Sequence, residues 1–304
     1  MPPHIRALQE ENTRKTWFLM TGFLVAVIAV GYFLTQYTGN SAFLYGFILI
    51  SVGMNIASYF FSAKIALASH RAKPADPARH AALFSAARDL SARAGLPVPA
   101  LYVIPDASLN AFATGRNAKN AAVAATEGLL ANLDEAELRG VIAHELAHVR
   151  NRDILLQTVV VVLAGAFSIL ADFAGRHLLW GSGDRENRGP LMIVGIALSF
   201  LAPIGALLVQ LAISRKREFL ADATGAEIAG TPHGLASALV KISKQGRPLK
   251  TAGAATAHMF IENPFGADHD HAEGEKKAGF LAKLFMTHPP VEERVAALSG
   301  RSRA

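Results

Sequence analysis

The residues with the clearest chemical meaning are His144, Glu145 and His148, which form the pattern H-E-x-x-H. Residues four apart on a helix lie about 40° from each other around its axis, so both imidazoles leave the same face. That arrangement suits two ligands of one tetrahedral zinc ion. Glu145 is placed where its carboxylate can accept a proton from a water molecule that the metal activates. The pattern therefore indicates a zinc site suited to metal-assisted hydrolysis.

The alternative is an ordinary amphipathic helix with polar residues on one side, and the surrounding sequence argues against it. Asp134 and Glu137 stand three residues apart and resemble a capping box, the pattern that starts a helix. Apolar residues then recur at helical spacing and mark a stripe that faces a core, at Leu138, Val141, Ile142 and Leu146. We therefore expect the pattern on a well-formed helix of a folded domain.

A catalytic zinc ion needs a third protein ligand, with the fourth position open to water. Because the chain has no cysteine, that ligand must be a histidine or a carboxylate, and disulfides are excluded. Glu218 is the candidate, and Asp222 lies four residues later on the same helical face. One of these carboxylates can bind the metal while the other orients a ligand histidine. On spacing alone, an ordinary charged face that includes Arg215 and Arg217 is an equal alternative.

A long charge-free block near the N-terminus predicts two membrane spans. The 304-residue chain is 51% hydrophobic, with a mean hydropathy of +0.28, and Thr16–Ala63 contains no Asp, Glu, Lys or Arg. A helix needs about 20 apolar residues to cross a bilayer, so this block predicts spans at Trp17–Gln36 and Ala42–Ser62, joined by a tight turn. A buried hairpin of a soluble protein is the less favoured alternative.

Two further charge-free blocks predict a third and a fourth span. Ile154–Ala171 is near the lower length limit for crossing, so a half-buried helix is the alternative there. Gly189–Ser214 is long enough to cross. Residues 148 and 218 can share one metal only if an even number of crossings separates them. A single site therefore requires both spans or neither.

Basic residues set the predicted orientation of the spans. Lys64, Arg71 and Lys73 follow the second span, whereas the turn of the first hairpin carries no charge. The positive-inside rule then places both termini and residues 64–153 in the cytoplasm. The net charge of +6 and the pI of about 9.6 fit attraction to the anionic headgroups of a lipid bilayer. Nothing in the sequence calls for a nucleic-acid partner, and nothing indicates an oligomeric state.

The segments outside the spans predict an α+β domain with a small sheet. We expect strands at Ala100–Ile104 and Ala121–Ala125, with a loop over Asn110–Gly115 between them. Amphipathic helices are expected at Ala78–Ala94 and Val291–Leu298.

A polar, glycine-containing stretch, 263–278, is interpreted as a mobile loop. Its segment Asp268–His271 is interpreted as solvated, with opportunistic metal binding as the alternative. The predicted division of the chain is a cytoplasmic tail (1–15), a transmembrane hairpin (16–63), a first catalytic part (64–153), the third and fourth spans (154–213) and a second catalytic part (214–304).

The chain resembles the HtpX family of bacterial membrane zinc endopeptidases, which are relatives of the eukaryotic CAAX-prenyl endopeptidase. The matching motifs occur in family order from about Pro97 onward. They are Asn110–Gly115, His144–His148, Ser214–Arg215 leading to Glu218–Asp222, and Thr287–Pro290 with Arg294. Ala147 stands where many relatives carry glycine, a change that a helix tolerates.

This resemblance implies a zinc-dependent active site with one Zn²⁺ per chain. It implies His144, His148 and Glu218 as the zinc ligands and Glu145 as the catalytic base. It also implies Asp222 as a supporting residue that lies near the site.

The resemblance further suggests a cleft for peptide substrates, which often bind by extending an edge strand. The cleft would be lined by Asn110, Ala111, Phe112, Ala113 and Thr114. A second donor to the oxyanion of the transition state is also expected. The candidates for this donor are, in order, His288, Arg215 and Asn110, and His288 has the alternative of a structural role in the last turn.

The sequence therefore predicts a mainly α membrane protein with four transmembrane helices and a cytoplasmic, zincin-like α+β catalytic domain. Its expected activity is endoproteolysis of membrane or misfolded proteins at the cytoplasmic face of a bacterial inner membrane, in membrane-protein quality control. A non-catalytic membrane scaffold is one alternative, but it would lack the base or a ligand. A zinc transporter is another, but it would need ionisable residues in its spans, and the charge-free blocks contain none.

Overall fold

The computed structural model describes residues 3–173, 214–251, 253, 256–264 and 289–300, which form mainly helices and one small sheet. The helices are α1 (Pro3–Thr38), α2 (Ala42–Ser69), α3 (Ala81–Ala94), α4 (Glu127–Asn132), α5 (Glu135–Arg150), α6 (Asp153–Phe173), α7 (Arg215–Ala229), α8 (His233–Gln245) and α9 (Val291–Leu298). The strands are β1 (Lys73–Pro74), β2 (Ala100–Ile104), β3 (Ala111–Gly115) and β4 (Ala121–Thr126), with 3₁₀ turns at Ala118–Asn120 and Ala257–Met259.

Helices α1 and α2 form the predicted N-terminal hairpin. The segments Gln9–Thr38 and Ala42–Ser69 are each long and apolar enough to cross a membrane. The turn between them includes Gly39 with a φ of +71°, a left-handed conformation that glycine adopts without strain. Much of their apolar surface is exposed, including Phe18 at 72% and Leu49 at 75%. A surface of this kind suits lipid and not water.

Exposed aromatic residues mark two levels along this hairpin. Trp17 of α1 stacks on Tyr59 of α2 with ring centroids 6.0 Å apart. Tyr37 and Tyr45 are exposed near the opposite end. The 20 residues from position 17 to position 37 span about 30 Å of helix, which equals the thickness of a bilayer's hydrocarbon core. Aromatic residues at both levels fit the belts that lie at the two membrane surfaces.

The third charge-free block forms helix α6, which packs against the hairpin. Leu156, Val160 and Leu163 are fully buried there. Phe167 meets Phe23 of α1 with ring centroids 5.0 Å apart. Residues 174–213 and most of the fourth predicted span lie outside the described residues. Within the described ranges, two helices are candidate membrane spans, and the four-span arrangement stays a prediction.

The small sheet has the strand order β1-β2-β4-β3 and places β3 at one edge. Strands β2 and β4 are parallel, whereas β3 pairs with β4 in antiparallel register, with Ala113 opposite Val123. The prediction of a loop over Asn110–Gly115 is wrong, because Ala111–Gly115 is strand β3. Every residue of β3 is buried, so the alternation of apolar and polar residues that marks a half-exposed strand is absent.

Helix α5 lies beside the sheet and packs against β3, α7 and α8. The predicted capping box is confirmed. Asp134 Oδ1 accepts a hydrogen bond from the Glu137 N–H at 2.9 Å, and Glu137 Oε2 accepts one from the Asp134 N–H at 3.0 Å. The predicted strands and the closing helix are confirmed to within one residue, and α3 begins three residues later than predicted, at Ala81.

Candidate metal centre

The crossing of α5 and α7 brings the candidate ligands together. Gly225 of α7 lies against His144 of α5, and a β-carbon at residue 225 would be only 3.0 Å from the His144 backbone. The absence of this β-carbon lets the two helices approach closely. Glu218 precedes Gly225 by seven residues, which is about two turns, so it lies on the same face of α7 and beside the two histidines.

Three ligand atoms converge at this crossing. The Nε2 atoms of His144 and His148 are 3.1 Å apart, and each lies 3.8 Å from a carboxylate oxygen of Glu218. All three residues are buried. Tetrahedral zinc with N and O ligands at 2.0–2.2 Å implies separations of roughly 3.3–3.5 Å between ligand atoms. The spacing and chemistry of these residues therefore fit one such ion.

Carboxylates orient both ligand histidines from the opposite side of each ring. The Nδ1 atom of His148 is 2.9 Å from Asp153 Oδ2. The Nδ1 atom of His144 is likewise 2.9 Å from Asp222 Oδ1. With a metal bound, each ring would carry its proton on Nδ1, so that both Nε2 lone pairs face the same point. Without a metal, a proton on one Nε2 can bridge the 3.1 Å between the rings as a hydrogen bond, and a bound cation would replace that proton.

Arg294 of α9 holds Asp222 in place. Its guanidinium donates to both oxygens of that carboxylate, at 2.9 Å and 2.7 Å, and to the carbonyl of Ile261 at 3.0 Å. Arg294 is fully buried. Burial alone would raise the pKa of Asp222, but the hydrogen bonds and charge of Arg294 outweigh it and hold that pKa below its usual value. The carboxylate therefore stays ionised beside His144.

A second supporting network reaches the site from the N-terminal helix. Asp153 Oδ1 lies 3.1 Å from Nε of Arg217 and accepts a hydrogen bond from Asn12 at 2.5 Å. Asn12 also donates to the carbonyl of Asn151 at 3.2 Å. Residues 3–15 of the predicted tail (1–15) are the first turns of α1, and Asn12 is buried. Asn12 and Asp153 were not among the predicted site residues, because no local pattern links residues 141 positions apart.

Glu145 lies beside the ligands with one carboxylate oxygen unused. Its Oε2 is buried and has no hydrogen-bond partner in the described part of the chain. The pKa of Glu145 is raised to about 7, mainly by burial and also by the charge of Glu218, while His148 and the backbone N–H of Ala113 oppose the rise. This carboxylate is therefore poised to gain and lose a proton near neutral pH.

The residues of the predicted substrate cleft have different roles in the structure. Ala113 is the member of β3 whose backbone N–H contacts Glu145. Ala111 accepts the backbone N–H of Ile261 at 3.1 Å. Asn110 donates its side-chain N–H to the carbonyl of Glu262 at 3.0 Å. These two residues therefore hold the chain's own 261–262 segment.

Phe112 and Thr114 point to the other face of β3. Phe112 packs edge-on against Phe260, and the hydroxyl of Thr114 lies 3.0 Å from that of Thr158. Arg215 is exposed at the first turn of α7, and its side chain makes no ion pair with other described residues. His288 and the Asp268–His271 segment lie outside the described residues.

Comparisons with known proteins show the family to which the chain belongs. The pattern of peptidase family M48 matches residues 77–302. A Protease HtpX homolog from Caldanaerobacter subterraneus subsp. tengcongensis is 45% identical over 96% of both chains. The chain belongs to peptidase family M48. Another relative, a Protease HtpX homolog from Desulfatibacillum aliphaticivorans, is 46% identical over 95% of this chain and 89% of its own.

Membership of the M48 family makes the protein a metalloprotease, a hydrolase that uses a metal cofactor and acts on protein or peptide substrates. The resemblance to the HtpX proteases is thereby confirmed. The HtpX relatives, together with the two apolar helices, indicate a membrane protein. A weaker likeness is to the crystal structure of S. mikatae Ste24p, with a TM-score of 0.47 and 16% identity over 96% of this chain and 66% of that chain.

Proposed function

We propose that the protein is a zinc endopeptidase in which His144, His148 and Glu218 hold one Zn²⁺ per chain. The observation that supports this proposal is the buried cluster of three ligand atoms, all within 4.8 Å of one another. The carboxylates behind the two histidines strengthen it, because such partners fix ring orientation and raise ligand basicity. A bound zinc ion supplies Lewis-acid activation of water and of the scissile carbonyl.

Glu145 serves as the general base and then as the general acid. Its Oε2 takes a proton from the attacking water and delivers it to the leaving amine. A base works best when its pKa is near the working pH, and burial gives Glu145 a pKa of about 7. The backbone N–H of Ala113 holds the carboxylate at the edge of the sheet while it exchanges this proton.

Substrate peptides pair with the outer edge of β3 near Ala113. In an antiparallel edge strand, alternate residues present their N–H and C=O groups outward. Ala111 and Ala113 share the outer edge of β3, since Ala111 accepts from Ile261 there. Ile261 already covers the Ala111 end, and the Gly115 N–H donates to the Thr158 hydroxyl at 3.4 Å, so a substrate pairs with the strand at Ala113. Phe112 and Thr114 support the strand from behind.

His288 and Arg215 are the proposed donors to the developing oxyanion. Each can stabilise negative charge that forms only in the transition state. Asn110, the third candidate from the sequence, already bonds to Glu262, so its amide serves the local fold.

The proposed location is a bacterial inner membrane, with several spans and with the site and both termini in the cytoplasm. The basic residues that follow α2 support this orientation. The proposed substrates are membrane or misfolded proteins, and the proposed role is membrane-protein quality control. The connection between α1 and the site supports it, because Asn12 places the site close to the membrane hairpin.

The test is Glu145→Gln in the full-length protein in detergent. The variant should bind one zinc per chain, measured by metal analysis, and should fail to cleave casein. Glu135→Gln, at an exposed position in the first turn of the same helix, is the matched control and should cleave normally. Chelation should stop the wild-type protein, and zinc should restore it. Undiminished cleavage by Glu145→Gln would reject the proposed role of this residue.

A further inference from the structure

A positively charged groove lies between the C-terminal end of α2 and the sheet, apart from the metal residues. Its volume is about 610 Å³. It is lined by three basic residues, Lys64 of α2 and Arg116 and Lys119 of the β3–β4 turn. No aspartate or glutamate lines the groove, and the three basic side chains form no ion pair within the described residues. The groove therefore carries three positive charges that this part of the protein does not neutralise.

The groove lies at the level of a membrane surface. Lys64 is the first charged residue after the charge-free block. Tyr59 lines the groove and stacks on Trp17, one of the aromatic residues that mark a bilayer boundary on the hairpin. Phe60 also lines it, and the guanidinium of Arg116 lies 5.1 Å from the centre of its ring. The basic residues therefore surround the place where α2 leaves the apolar layer.

We propose that this groove binds the headgroup of an anionic phospholipid. The phosphate of such a lipid accepts hydrogen bonds from lysine and arginine side chains. Phe60 and Ile56, four residues apart on one face of α2, are both about half exposed and can carry the acyl chains. A ligand that is charged at one end and apolar at the other matches the groove and this face together. A free phosphate ion would use only the groove.

A bound lipid would also fix the sheet relative to the membrane. Arg116 directly follows Gly115, the last residue of β3. A headgroup held by Arg116 and Lys64 therefore ties the end of the edge strand to the end of α2. The inference rests on the position of the groove and needs no assumption about the metal or the cleavage reaction.

The test is a lipid-binding measurement on the full-length protein in a nonionic detergent. Native mass spectrometry would count bound phosphatidylglycerol and phosphatidylcholine, supplied at equal concentration. The wild-type protein should retain phosphatidylglycerol preferentially. Each basic residue near a lipid surface contributes roughly a five-fold factor in affinity, so the triple variant Lys64→Gln/Arg116→Gln/Lys119→Gln should bind it roughly a hundred-fold more weakly.

A matched control removes the same charge elsewhere, in the variant Arg79→Gln/Arg88→Gln/Lys244→Gln, whose three positions are exposed. This control should retain phosphatidylglycerol as the wild type does. Lys119→Gln alone should weaken binding roughly five-fold, which keeps the test valid if the triple variant unfolds. Equal loss in the control variant, equal retention of the two lipids, or displacement by millimolar inorganic phosphate would each overturn the proposal.

Discussion

Removing Arg294 should damage the protein far more than removing an exposed arginine. Arg294→Met takes away both charged hydrogen bonds to Asp222 and the bond to Ile261. Asp222 is 2% exposed, so water cannot replace the lost partner. Breaking a buried ion pair from one side costs about 3–5 kcal/mol of stability. Because Asp222 also orients His144, we expect zinc affinity to fall by about 10–100-fold.

The comparison variant is Arg93→Met. Arg93 and Asp89 form an ion pair at 3.4 Å, but their side chains are 49% and 43% exposed. Such a pair contributes about 0–1 kcal/mol, so this variant should stay close to the wild type. Arg294→Lys should fall between the two, because lysine keeps the charge and loses the paired geometry.

The assay is denaturant unfolding in detergent, combined with zinc competition against a chromophoric chelator. The double variant Asp222→Asn/Arg294→Met should be less destabilised than the sum of its two single variants, because the buried charge leaves together with its partner. If Arg294→Met lost no more stability and no more zinc affinity than Arg93→Met, the argument that Arg294 stabilises the site through Asp222 would be refuted.

Three further predictions concern the metal and the proton equilibria of the site. Burial opposes protonation of His148, but its bond to Asp153 and the nearby carboxylates raise its pKa to about 9. Because zinc must displace this proton, zinc affinity should fall up to tenfold for each pH unit below 9. The variant Asp153→Asn should show a weaker pH dependence of zinc affinity in a chelator titration. Asn12→Ala removes one donor from Asp153 and should weaken zinc binding about tenfold, and an unchanged affinity would contradict the supporting role of α1. The pKa of Glu145 rises from 4.5 to about 7 on folding, so the metal-free protein should lose stability as the pH rises from 4.5 to 7. At pH 8, metal-free Glu145→Gln should therefore be more stable than the metal-free wild type by up to about 3 kcal/mol. At pH 4 the two proteins should be equally stable.

Local sequence patterns predicted those helices and strands whose own residues mark them, by a capping pair or by a run of apolar residues. The start of α5 was predictable because Asp134 and Glu137 are neighbours in sequence and form the cap themselves. Strand β3 was missed because three of its five residues are alanine or glycine, which are depleted in strands, and burial on both faces removes the alternating pattern. Glu218 was a candidate from its spacing to Asp222, with an ordinary charged face as an equal alternative, and the family resemblance implied it as the third ligand.

The supporting residues of the site could not be found in this way. Asn12 contacts Asp153 across 141 positions, and Arg294 contacts Asp222 across 72. Each is an ordinary polar residue within its own stretch of sequence, and only the packing of the helices shows what it does. The resemblance to a known family included Arg294 in a motif, but it gave no physical reason for the residue.

The continuity of α1 has a practical consequence for any attempt to obtain a soluble peptidase. A single rigid helix carries Asn12 into the surroundings of His148 and, a few residues later, enters the apolar layer at Trp17. Cutting the chain after the membrane hairpin would therefore remove part of the scaffold of the active site along with the anchor. Truncated variants of this protein therefore need to keep the first forty residues. A change in the tilt of the hairpin in the lipid bilayer would also shift Asn12 and, through Asp153, the position of His148.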